Sequence, residues 1–62
     1  MKNRIRECLD RKNMSQRELA ERLDVTEVTI SRYVTGMREP KLKNALMIAK
    51  ELGWTVEELF DI

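Results

Sequence analysis

Four residues in one short stretch, Glu27, Val28, Ser31 and Arg32, combine side chains suited to the exposed edges of base pairs. An arginine bonds bidentately to guanine O6 and N7, a valine covers a thymine methyl, a serine bonds to several edges, and a glutamate accepts from cytosine N4. At 100° per residue, Val28, Arg32 and Thr35 fall on one side of a helix, and Ile30, Tyr33, Val34 and Met37 on the other. The outer side thus mixes hydroxyls, one aliphatic residue and one arginine, in place of the usual Lys and Glu. Ordinary roles remain open for these residues: a partly buried Val28, a solvated Arg32, and a Glu27 that complements the helix dipole.

Positioning such a face requires a second helix behind it, and residues 15–36 supply one. Ser15 and Glu18 read as a capping box, with the hydroxyl on the first-turn amides and the carboxylate reaching back to the Ser15 amide. Leu19, Ala20 and Leu23 form a narrow apolar stripe, and Asp24 stands at the turn, where it tolerates left-handed backbone better than most residues. Val25 anchors the turn, Thr26 caps the next helix, and Gly36 ends it. Two short helices joined by a tight turn hold the second one outward, in reach of a major groove.

From Ser15 to Gly36 the chain resembles the phage repressor and Cro type (XRE-like) of helix-turn-helix family. Gln16 opens the first helix, Ala20 sits at the close helix crossing, Val25 in the turn and Ile30 in the core, with Ser31-Arg32-Tyr33 leading to Gly36. The segments from Met37 to Pro40 and from Leu42 to Phe60 look like that family's next loop and last two helices. The resemblance implies an all-α, compact five-helix domain of the lambda repressor type with a central helix-turn-helix. It also implies that Gln16 binds a backbone phosphate and braces the second helix, and that Glu27, Val28 and Arg32 face bases. Two positions depart from the pattern: Asp24 replaces the frequent turn glycine, and Glu27 is an acid where an amide or basic residue is common.

The remaining segments predict the platform. Ile5, Cys8 and Leu9 mark a first helix from Lys2 to about Lys12; Leu42, Ala45, Leu46, Ala49 and Leu52 mark a fourth that Gly53 ends. Thr55 and Glu58 form a second capping box that opens a short fifth helix with Val56, Leu59 and Phe60 apolar. No repeat or linker divides residues 1–62, so one domain is expected, and 62 residues bury only about 60% of the unfolded chain's surface.

Charge is uneven behind a net +1: residues 1–12 carry +3, 13–31 carry −2, 32–50 carry +4 and 51–62 carry −4. Arg38, Lys41 and Lys43 follow the second helix of the motif and flank Pro40, which makes them candidates for phosphate contact with Gln16, Thr26 and Thr35. The acidic end is expected to point away from phosphate.

Catalysis finds no support. The chain holds no His and a single Cys, no glycine-rich phosphate loop and no ligand cluster with metal spacing, so neither cofactor nor metal is expected. Cys8 reads as a small core residue. One Cys permits no internal disulfide, and the lack of an apolar run of about 20 residues argues against a membrane span. A cytoplasmic protein with no evident small-molecule ligand is the expectation.

Trp54, Val56, Leu59, Phe60 and Ile62 crowd much apolar surface onto nine residues, and a symmetric homodimer through them is expected. The reading is a sequence-specific binder of double-stranded DNA that regulates transcription, most simply a repressor. A protein-binding module, such as an antitoxin or adaptor with the same fold, is the competing reading.

Overall fold

Four residues among those described take a positive φ, and each ends a helix: Asn13, Asp24, Gly36 and Gly53. A left-handed residue turns the chain sharply while its own and the next amide return to carbonyls of the last turn. Val25 N–H thus donates to the Ala20 carbonyl at 3.0 Å, and Met14 N–H to the Leu9 carbonyl at 2.9 Å. The computed structural model describes residues 3–60, and these stops divide them into α1 (Ile5–Lys12), α2 (Gln16–Leu23), α3 (Glu27–Thr35), α4 (Leu42–Leu52) and α5 (Val56–Phe60). There is no strand among the described residues. The expected five-helix, all-α fold is the fold observed.

Three helices begin on a hydroxyl that accepts a first-turn amide: Ser15 from Glu18, Thr26 from Thr29, and Thr55 from Glu58. At Thr55 the box is complete, since the Glu58 carboxylate accepts from both the amide and the hydroxyl of Thr55 at 3.0 Å. At Ser15 the expected return arm is replaced. Glu18 is spaced four residues from Arg22 and turns to it, at 3.3 Å, and Arg22 also reaches Glu51 of α4 at 3.0 Å.

The core is apolar throughout, with no buried polar or charged residue among those described. Ile5, Cys8 and Leu9 of α1 meet Leu19, Ala20 and Leu23 of α2, Ile30 and Tyr33 of α3, and the inner face of α4. Helices α2 and α3 pack most closely, and α2 also lies against α4. The first turn of α1 and helix α5 meet where the Arg4 amide donates to the Leu59 carbonyl at 2.8 Å.

Three expectations from periodicity are corrected. The buried face of α4 is Ala45, Ile48, Ala49 and Leu52, whereas Leu42 and Leu46 are exposed. Both spacings fit a 3.6-residue period, and the neighbouring helices select the one centred on Ile48. Met37 also points to solvent, because the left-handed Gly36 takes the chain off the α3 helical path before it. The C-terminal apolar residues are largely consumed within the fold: Leu59 and Phe60 are buried, and Trp54 and Val56 are half-buried against the core.

Candidate nucleic-acid interface

The helix α3 is held from behind and left open in front. Ile30 and Tyr33 anchor it in the core, with Val34 half-buried beside them. On the opposite side Glu27, Val28, Arg32 and Thr35 are exposed and Ser31 is half-buried. Val28 keeps 58% of its surface accessible, which removes the reading of it as a core residue. With a rise of about 1.5 Å per residue, Val28, Arg32 and Thr35 form a ridge about 10 Å long, a length that lies within a major groove.

Tyr33 fixes the position of this ridge. Its backbone carbonyl accepts from the Asn3 side-chain amide at 2.7 Å, and its hydroxyl accepts from the Asn44 amide at 3.2 Å. The exposed ridge is thereby tied to the start of α1 and to α4. Periodicity did not mark either asparagine, because polar residues at the edge of a core obey no apolar repeat; a buried Tyr in need of a partner for its hydroxyl was the available signal.

The basic residues that follow the ridge in sequence are open to solvent: Arg38, Lys41 and Lys43 are all exposed. Lys41 caps α4 with extended backbone and no side-chain acceptor, and no acid lies in the first turn. The start of α4 thus lacks a side-chain cap and carries two exposed lysines, a combination that suits an anionic oxygen. Gln16 opens α2 and is half-buried. The hydroxyls of Thr26 and Thr35 are exposed but engaged, that of Thr26 with Thr29 and that of Thr35 on the Arg32 carbonyl.

No metal-binding group of three acidic, Cys or His side chains occurs among the described residues. Cys8 is fully buried, and burial, aided by nearby Glu7, pushes its thiol above the usual range, which disfavours the thiolate. No described helix is long and apolar enough to cross a membrane. Of the residues expected at a dimer seam, Leu59 and Phe60 are unavailable on the surface, and Ile62 lies outside the described residues.

A short helix packed across a second one, joined by a three-residue turn and presenting an uncovered outer face, defines a helix-turn-helix domain. The family model described as Helix-turn-helix matches residues 5–59. The chain belongs to the helix-turn-helix family of the phage repressor (XRE-like) type. It is 37% identical over 60 residues to an uncharacterized HTH-type transcriptional regulator of Methanocaldococcus jannaschii, covering 97% of this chain and 91% of that one. A second uncharacterized HTH-type transcriptional regulator, from Archaeoglobus fulgidus, is 38% identical over 60 residues, covering 97% of this chain and 84% of that one.

Proposed function

We propose that the protein is a sequence-specific double-stranded DNA-binding regulator of transcription that places α3 in the major groove. One observation carries the reading: the exposed side of α3 presents Glu27, Val28 and Arg32 together, with Ser31 at its margin, while Tyr33 locks the opposite side in place. The relatives named as HTH-type transcriptional regulators support it over nearly the full chain.

In this reading phosphate contacts set the register and base contacts read the sequence. Lys41, Lys43 and the open first turn of α4 hold one phosphate region, with Arg38 beside them; Gln16, at the start of α2, holds another, and the threonines at either end of α3 add exposed hydroxyl contacts. Arg32 reads a guanine, Val28 meets a thymine methyl, Ser31 lies along the edges, and Glu27 selects a cytosine amine at the tip. The acidic stretch 51–62 stays on the side away from DNA. Two protomers occupy one operator, and occupancy represses by excluding polymerase. A cytoplasmic location goes with this role.

Selection of bound duplexes from a random pool at two salt concentrations tests the proposal. It is expected to return a defined sequence with two inverted half-sites about one helical turn apart. Recovery of no preferred sequence at either salt concentration would reject it.

A further inference from the structure

The segment that leads from the α3 ridge to the start of α4 carries Arg38 and Lys41, and one residue holds it at both ends. At the near end the Tyr33 backbone carbonyl accepts from the Gly36 amide at 3.2 Å, and the neighbouring Arg32 carbonyl accepts from the Arg38 amide at 3.3 Å. At the far end Asn44, in the first turn of α4, donates its side-chain amide to the Tyr33 hydroxyl at 3.2 Å. The ring between the two bonds is 3% exposed. Little else fixes the course of this loop. The side chains of Met37, Arg38, Glu39 and Lys41 are exposed and make no hydrogen bond or ion pair among the described residues, which leaves the Pro40 ring and the two ends of Tyr33 to hold it.

We propose that Tyr33 and Asn44 are positioning residues for DNA specificity: the bond between them keeps the phosphate-holding loop in register with the base-reading side of α3. The inference rests on the DNA-binding reading above and adds to it two residues that do not touch the duplex, since Tyr33 is buried and Asn44 is turned to it.

The physical reason is a difference between two kinds of complex. Binding to the preferred sequence needs the phosphate and base contacts at once, in fixed relative positions. Binding to an arbitrary sequence needs phosphates alone, which a loosened loop still finds one by one. Release of the far end of the loop therefore adds an ordering cost to the specific complex and spares the other. The number of phosphates contacted stays the same in both.

Tyr33→Phe tests this, because it removes the hydroxyl and keeps the ring and the backbone carbonyl. Binding is measured at a temperature where circular dichroism shows each variant fully folded. On the duplex returned by selection the variant is expected to lose about fivefold in affinity, and on a scrambled duplex of equal length to stay within about twofold of wild type. The slope of log affinity against log salt is expected to be unchanged on both. Asn44→Ala is expected to reproduce the loss, and the double variant to lose no more than either single one. In the free protein, hydrogen exchange is expected to quicken about fivefold at the Ala45 amide, which makes the first bond of α4 to the Lys41 carbonyl at 2.9 Å.

An equal loss on both duplexes would overturn the proposal and leave the bond a matter of stability alone. Undiminished discrimination in Tyr33→Phe, additive losses in the double variant, or unchanged exchange at Ala45 would each overturn it as well, with the DNA-binding reading intact. Failure of the wild-type protein to prefer any duplex would remove that reading, and the role in specificity would fall with it.

Discussion

The side-chain amide of Asn3 donates to the backbone carbonyl of Tyr33 at 2.7 Å, across thirty residues of chain. The same carbonyl accepts from the Gly36 amide at 3.2 Å, and the Asn3 carbonyl oxygen accepts from the Ile5 amide at 3.1 Å. One side chain thus starts α1 and finishes α3. Because Asn44 grips the other end of Tyr33, the angle at which α3 leaves the body is set by two amides and one ring. A helix held at its base in this way loses little conformational freedom when a ligand meets it.

Asn3→Ala should cost about 1 kcal/mol, the value of a hydrogen bond with a modest desolvation penalty for the orphaned partner. Urea unfolding followed by circular dichroism measures it. A variant as stable as wild type would show that the link does not hold α3.

Arg32→Ala should lose about 1–3 kcal/mol on the selected duplex and relax preference at one base pair, as expected for a side chain bidentate to guanine. Lys41→Ala should weaken all duplexes alike and lower the slope of log affinity against log salt by about one. Binding titrations at several salt concentrations separate the two. Equal loss on every sequence would make Arg32 a phosphate contact, and an unchanged slope would remove Lys41 from the interface.

Asp24 occupies a left-handed conformation at φ 58° and places a negative charge at the C-terminal end of α2. Both features oppose stability, one through backbone strain and one through the helix dipole. Asp24→Gly should raise stability by about 0.5 kcal/mol after the larger unfolded-state entropy of glycine is subtracted. A shift of the urea midpoint to higher concentration with unchanged slope is the expected result.

Hydrogen bonds from the Thr55 amide and hydroxyl hold the Glu58 carboxylate below the usual glutamate pKa. A lowered folded value means that its contribution is whole above the unfolded value and is lost as pH falls through the folded one. The stability difference between wild type and Glu58→Gln should therefore be constant near neutrality and shrink on acidification. Urea midpoints from neutral to strongly acidic pH check the sign; a difference that grew with acid would contradict the box.

The helices that form the motif were legible because their signals are local. Ser15, Thr26 and Gly36 act on their own turns, and Ile30 with Tyr33 obeys the helical period. Helix α4 was misread on one side because Leu42 and Leu46 fit the period as well as Ile48 does, and only the packing of α1, α2 and α5 decides between them. The burial of Leu59 and Phe60 was not legible for a related reason: it depends on how α5 folds back toward α1, where Arg4 meets the Leu59 carbonyl. The exposed face of α3 was read correctly at Val28 and Arg32, whereas the asparagines that steady it belong to distant parts of the chain.

The guanidinium of Arg11 stands 5.5 Å from the centre of the half-buried Trp54 ring, and Trp54 is the sole tryptophan. The chain consequently carries its own optical probe at the junction of α1 with the α4–α5 connection, well apart from α3 in sequence. Exposure of the half-buried ring to water makes undocking of that corner visible as a shift of the emission maximum in the unlabelled protein.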